Sequence, residues 1–216
     1  ATLLARSITL LLSYGVKRIV IVVGYKSSLI IESLSSFSSK IEFVINDQYT
    51  DTGSMHSMFM TKEIIDNDIL LLESDLIYEN RALEVLNNKA NDLILISGVT
   101  HSGDEVYVYG DGDYITAISK NKLSKHRIKG ELVGISKISY SLYKNMMDYY
   151  ENNISDLSSC HYEECLSSLS RKHLIQFVKI DDLAWTEIDD NYHLERALTL
   201  VYPRILANDR EYGKNF

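Results

Sequence analysis

Arg18-Ile-Val-Ile-Val-Val-Gly24 is an uninterrupted β-branched run closed by a glycine. A run without polar alternation reads as a strand buried on both faces, as in sheets covered by helices on either side. Ahead of it, Leu3, Leu4, Ile8, Leu11 and Leu12 fall on one helical face, and Gly15 is a suitable helix stop. Beyond it the alternation continues, with helices predicted over 27–37, 54–65 and 80–88 and strands over 41–45, 68–72 and 92–97. Helices between strands imply right-handed crossovers on one sheet.

The middle changes character. Residues 106–109 and 114–118 flank Gly110-Asp-Gly-Asp113, whose Asp-Gly pair signals a hairpin. A strand over 131–138, helices over 140–152 and 162–169, and strands over 175–180 and 184–188 follow. The last helix shows Leu194, Ala197, Leu198 and Val201 on one face. With one proline and no repeat or low-complexity linker, 1–216 reads as one α/β domain, a three-layer αβα sandwich around a mostly parallel mixed sheet.

Net charge is −8 and the pI near 5.2. Nucleic acid and anionic membranes both need a positive field, so neither is an expected partner. An anionic substrate would need local cations or a metal. Cys160 and Cys165 are too few for a disulfide framework and lack the second pair of a zinc site. The apolar start is interrupted by Arg6 and has no small-residue cleavage site after it, and no run approaches the ~20 apolar residues of a membrane span. A cytoplasmic protein without membrane insertion is the expectation.

Ligands of such sheets collect at strand carboxyl ends. Leu70-Leu-Leu-Glu-Ser-Asp75 ends a strand in carboxylates, although Asp75 could equally cap a turn. Ala184-Trp-Thr-Glu-Ile-Asp-Asp190 ends another; Asp190 is explained as the N-cap of the last helix, whereas Glu187 and Asp189 are not. Two hard oxygen donors together with phosphate oxygens suit Mg²⁺. In a third loop, 46–54, small and hydroxyl residues precede a helix start, suiting an anion or base edge or simply a helix cap.

Asp51-Thr-Gly-Ser-Met55, Leu70-Leu-Leu-Glu-Ser-Asp-Leu-Ile-Tyr78, Ser102-Gly-Asp-Glu-Val-Tyr107, Gly130-Glu-Leu-Val-Gly-Ile135 and Trp185-Thr-Glu-Ile-Asp-Asp190 together resemble 2-aminoethylphosphonate cytidylyltransferases, in order and spacing. His193-Leu-Glu-Arg-Ala-Leu198 and Tyr202-Pro203 extend the match over nearly the whole chain. The wider group is the phosphocholine and sugar-phosphate nucleotidyltransferases, with a GT-A-like sandwich. The resemblance implies transfer of CMP from CTP to 2-aminoethylphosphonate with release of pyrophosphate, for phosphonate modification of lipids or glycans, alongside or fused to downstream phosphonate-transfer enzymes.

It also implies roles. Asp75 and Asp189 would hold Mg²⁺, supported by Glu187 and Asp190, while Thr52, Gly53, Ser54, Glu73 and Ser74 would line the nucleotide site. Ser102, Gly103, Asp104, Glu105, Lys120, Glu131, Tyr162 and Glu163 would surround the acceptor, with Lys120 on its phosphonate and carboxylates on its ammonium. A primary ammonium has three N–H donors and suits carboxylates, whereas a quaternary one suits an aromatic box. The phosphonate is already ionised near neutrality, so no general base is required. The six histidines, 56, 101, 126, 161, 173 and 193, show no metal-like spacing and read as surface or packing residues.

One departure stands out. Family members open with a strand and a G-x-G-S/T-R loop followed by Pro-Lys, and this sequence contains neither. That loop cradles the triphosphate with backbone N–H groups. Residues 1–216 are thus expected to belong to a longer chain, to be inactive alone, and to leave apolar edges at 19–23 and 70–72. The alternatives are a phosphocholine or sugar-1-phosphate nucleotidyltransferase, a noncatalytic domain of the same fold, and a GT-A glycosyltransferase, against which the missing Asp-x-Asp counts.

Overall fold

The computed structural model describes residues 2–87, 92–124 and 127–212. In chain order the elements are α1 (Leu3–Ser13), β1 (Ile19–Val23), α2 (Ser27–Ser33), β2 (Ile41–Ile45), α3 (Ser54–Phe59), β3 (Ile69–Leu72), β4 (Leu76–Tyr78) and α4 (Arg81–Asn87). Next come β5 (Leu93–Ser97), β6 (Tyr107–Asp111), β7 (Tyr114–Ser119), β8 (Ile128–Ile138), α5 (Tyr140–Glu151), α6 (Ile154–Leu157) and α7 (Tyr162–Leu169). The chain closes with β9 (Gln176–Ile180), β10 (Trp185–Glu187), α8 (Asn191–Arg196) and α9 (Tyr202–Glu211), the last two joined by a π-helical stretch, Ala197–Val201. Asn88, the expected end of α4, and His126 lie outside the described residues.

The layers follow from the side-chain alternation of a strand. All of β5 is buried. Its Ile94 and Ile96 face a core built with α3, α5 and α7. Leu93 and Leu95 face the opposite core, built with α1 and α4. A strand covered on both faces by helices is the αβα sandwich expected from the continuous apolar runs.

The sheet is mixed, with one correction to its balance. Six strands run in the order β3-β8-β5-β9-β7-β6, and β1-β2 and β10-β4 form separate pairs. Parallel pairing among the described residues is confined to β1 with β2 and β5 with β9. The 11-residue β8 is the reason. It returns from the β6–β7 hairpin and inserts antiparallel between β3 and β5, while its first residues pair with β6. Antiparallel contacts therefore outnumber parallel ones.

Three boundaries also differ. The helix expected over 54–65 ends at Phe59 and passes into turns, where the Thr61 N–H donates to the Met58 carbonyl at 3.0 Å, the Thr61 hydroxyl donates to the same carbonyl at 2.6 Å and pairs with the Tyr143 hydroxyl at 2.8 Å. The helix expected over 27–37 ends at Ser33 and passes into a 3₁₀ turn, Ser35–Phe37. Strand β4, a stretch for which the sequence predicts no element, pairs with β10 among the described residues.

Among the described residues β1 pairs with β2 alone and β3 with β8 alone. Every residue of β3 keeps partial exposure. Arg18, just ahead of β1, donates to the Glu42 carboxylate of β2 at 2.7 Å and to the Ile64 carbonyl, in the segment before β3, at 3.1 Å. No helix among the described residues is long and apolar enough to cross a membrane.

Candidate active site

The site begins with the short β4–β10 ladder. Leu76 lies opposite Glu187, and the Ile188 N–H donates to the Asp75 carbonyl at 3.1 Å. These contacts bring the carboxylates following β3 and β10 to one place. Asp190 then caps α8, accepting the His193 N–H at 2.8 Å.

Among the described residues, Asp104, Glu187 and Asp189 each bring one carboxylate oxygen within 4.8 Å of the others. Asp75 stands beside them. Burial raises its carboxyl above the usual range and the Asp189 charge adds to this, and its Oδ1 is buried without a hydrogen-bond partner. Asp104, expected on the acceptor, thus sits with the expected metal ligands. Its loop is carried there by left-handed backbone at His101 (φ 55°) and Gly103 (φ 100°).

Charge accumulates here. Burial, and then the charges of Glu73, Asp75, Asp189 and Asp104, push Glu187 up to about 8. Burial pushes Glu73 up to about 7, against the Tyr162 hydrogen bond that lowers it. The Tyr162 hydroxyl donates to Glu73 Oε1 at 2.6 Å. Burial also raises Glu163. The neighbouring cation is Lys120, whose ammonium donates to both oxygens of Asp104 at 3.0 and 3.2 Å. So many carboxyls near one lysine favour recruitment of a further cation.

The nucleotide candidates are placed less as expected. Gly53 donates its N–H to the Ser158 carbonyl at 3.0 Å, and Met55 donates to Cys160 at 3.2 Å, so these groups already have partners. Thr52 gives its hydroxyl to the Gln48 carbonyl at 2.8 Å. Ser54 Oγ accepts the Tyr162 N–H at 3.2 Å, which ties this loop to the residue that holds Glu73. Ser74 is exposed and makes no bond to the cluster.

On the acceptor side, Thr100, Ser102, Asp104, Trp185, Thr186, Glu187 and His193 line one cavity. Glu105 accepts the Gly103 N–H within its own loop at 3.3 Å. Glu131 lies beneath this loop, its Oε2 accepting the Thr100 N–H at 2.9 Å. His193, read as packing, is the residue the sequence did not single out. Its buried Nδ1 lies 3.4 Å from Asp189 Oδ2. The signal available was the Asp189–His193 spacing of four, which places the two side by side where α8 begins. Cys160 and Cys165 are free and buried, their thiols pushed up to about 12 by burial, so neither is a ready nucleophile.

Residues 1–124 match a family described as a domain of unknown function (DUF6564). The chain is 26% identical over 195 residues to the bifunctional protein GlmU of Methanococcus maripaludis, covering 89% of this chain and 45% of that protein. It is 31% identical over 86 residues to the CMP-5′-(3-aminopropyl)phosphonate synthase of Streptomyces rubellomurinus, covering 39% of this chain and 14% of that one. It is 21% identical over 199 residues to the CTP:phosphoglutamine cytidylyltransferase of Campylobacter jejuni, covering 83% and 78%. The chain thus spans less than half the length of the first two of these relatives.

Among solved structures, the inositol-1-phosphate CTP transferase of T. maritima superposes with a TM-score of 0.77 at 16% identity, covering 99% of this chain and 85% of that one. The CTP:phosphocholine cytidylyltransferase of Streptococcus pneumoniae gives 0.72 at 16%, covering 90% and 82%. The fold is that of the nucleotidyltransferases.

Proposed function

The chain belongs to the DUF6564 family, and from its nucleotidyltransferase fold and its carboxylate cluster we infer that it transfers CMP from CTP to 2-aminoethylphosphonate. The single observation that carries this reading is the meeting of Asp104, Glu187 and Asp189, with Asp75 beside them, at the ends of β4 and β10. The relatives that act with CTP on phosphoglutamine and that make a CMP-aminopropylphosphonate support the same chemistry.

The donor set fits a hard divalent cation. It is all carboxylate, and Asp75 Oδ1 is a buried acceptor without a partner. Asp75, Asp104 and Asp189, supported by Glu187, would hold Mg²⁺, which would offset the charge of the triphosphate and of the acceptor.

The chain's own residues do the rest. The phosphonate oxygen attacks the α-phosphorus, the bond to the β-phosphate oxygen breaks, and pyrophosphate leaves. Lys120 exchanges Asp104 for the phosphonate and so lowers the repulsion between two anions. The 52–54 loop and Tyr162 set the nucleotide side against the acceptor side through the Ser54–Tyr162–Glu73 chain of bonds.

The carboxylate-rich surroundings favour a primary ammonium over a quaternary one. One observation favours a second reading: Trp185 lines the same cavity, and an aromatic face is what phosphocholine would require. Pyrophosphate release from CTP, with 2-aminoethylphosphonate against phosphocholine, separates them in the full-length protein. Faster release with the phosphonate is expected, and a preference for phosphocholine transfers the assignment to the second reading.

A further inference from the structure

We propose that Arg196 is a positioning residue of the carboxylate cluster, a guanidinium clasp that holds the loop carrying Asp104 against the strand carrying Glu187. The clasp rests on the reading of that cluster given above and adds to it the side chain that keeps its two halves together. Nη1 of Arg196 donates to the Thr186 hydroxyl at 2.7 Å, and Nη2 donates to the Thr100 carbonyl at 3.1 Å. Thr186 is 3% exposed and directly precedes Glu187 on β10. Thr100 stands at the start of the loop that leads to Asp104, and both threonines line the cavity with Asp104 and Glu187.

The cluster needs a clasp because its carboxylates have separate origins. Glu187 and Asp189 come from the end of β10, whereas Asp104 comes from the loop between β5 and β6. Like charges brought this close repel one another until a cation is bound. The loop's other bonds lead elsewhere. Thr100 pairs with Ser102 and Gly103 donates to Glu105, both within the loop. The Thr100 N–H goes to Glu131 on β8, and Asp104 takes Lys120, just after β7. Among the described residues, Arg196 alone is hydrogen-bonded to both the loop and β10.

Arginine suits this task. Its planar fork presents N–H groups to two acceptors at once, which an ammonium on a flexible stem does not match. Both acceptors are neutral oxygens, so the side chain supplies direction rather than neutralisation. Helix α8 aims it. Asp190 caps the helix through the His193 N–H, His193 stands 3.4 Å from Asp189, and Arg196 follows three residues later on the same face. Immediately beyond it the helix widens into the π-helical stretch, whose Ala197 and Val201 pack with Ile77 and Ala184 of the β4–β10 region. Such stretches inside helices recur at functional sites.

Two variants test the clasp in the full-length protein. Arg196→Lys keeps a cation but loses the fork, and Thr186→Val removes the acceptor on β10 with little change of shape. Hydrogen–deuterium exchange without nucleotide or metal reads the loop directly. Amides of 98–105 should exchange about tenfold or more faster in both variants, while those of β5 and β8 keep the parent rates. Calorimetric titration of Mg²⁺ in the presence of CTP should show binding about 10–100-fold weaker, the usual cost of losing a group that orients metal ligands. Transfer to 2-aminoethylphosphonate should lose a similar factor in kcat/KM. Parent-like exchange of the loop or parent-like Mg²⁺ affinity in R196K overturns the proposal. Faster exchange spread evenly over the chain overturns it too, since that marks a general packing residue. A parent protein that transfers no CMP would overturn the transferase reading by itself, and the exchange and Mg²⁺ measurements would still decide the clasp.

Discussion

The backbone of Ile188 donates to the carbonyl of Asp75 at 3.1 Å. That bond is the hinge of the site, because Asp75 and Asp189 are the flanking carboxylates on either side of the β4–β10 ladder. If they hold the metal together with Asp104, the single variants Asp75→Ala, Asp104→Ala and Asp189→Ala each lower pyrophosphate release by more than the roughly 100-fold that loss of a supporting partner costs. Isothermal titration of Mg²⁺ in the presence of CTP checks the cause. Activity lost while Mg²⁺ affinity stays intact would assign these carboxylates another role.

His193 is expected to position Asp189, 3.4 Å from its Nδ1. His193→Ala should weaken Mg²⁺ binding by about 10–100-fold, the usual cost of removing a group that orients a metal ligand. His193→Asn, which restores a donor near Asp189, should recover part of it. An alanine variant with wild-type Mg²⁺ affinity would return His193 to simple packing.

Stability without metal should fall as pH rises. Glu73 moves from 4.5 to about 7 and Glu187 from 4.5 to about 8, both chiefly through burial. The folded protein therefore binds these protons more tightly than the unfolded chain, so their stabilising contribution is complete below pH 4.5 and is lost on rising through 7 to 8. For Glu73 this is at most about 3 kcal/mol. Thermal unfolding in chelator across pH 5 to 8 should show a declining melting temperature, and Mg²⁺ should restore more at pH 8 than at pH 6. A melting temperature that climbs over this window in chelator would contradict the account of the cluster.

Gly53 is predicted to tolerate no side chain. A Cβ there would come within 2.2 Å of the Cys160 carbonyl and 2.5 Å of the Ser159 carbonyl, both backbone atoms. Gly53→Ala should cost about 1–3 kcal/mol of stability and raise the KM for CTP, since the 52–54 loop must move off the start of α7. Unchanged thermal unfolding would show that the loop relaxes freely.

What the sequence disclosed follows a physical divide. The strands Ile19–Val23, Ile69–Leu72 and Leu93–Ser97 were legible as unbroken apolar runs, although only Leu93–Ser97 is buried throughout, and Asp190 was legible because a cap is local. Asp75, Glu187 and Asp189 stood out as carboxylates ending such runs. Strand β4 was not legible: its three residues pair only with β10, a contact formed late in the chain. The direction of β8 depends on the hairpin before it rather than on its own residues. Asp104 was placed on the acceptor by resemblance, and its approach to Glu187 and Asp189 depends on how the loop over Glu131 closes. At the 52–54 loop the Gly53 N–H is taken up by Ser158 and the Met55 N–H just beyond it by Cys160, partners distant in sequence that local reading does not place.

The most direct test is to incubate the full-length protein with CTP, Mg²⁺ and 2-aminoethylphosphonate and to follow phosphorus resonances. The account predicts a CMP-phosphonate ester and pyrophosphate in equal amounts, both abolished by chelator and by Asp189→Ala. Intact CTP and free phosphonate after prolonged incubation, with Mg²⁺ bound and the protein folded, would contradict it.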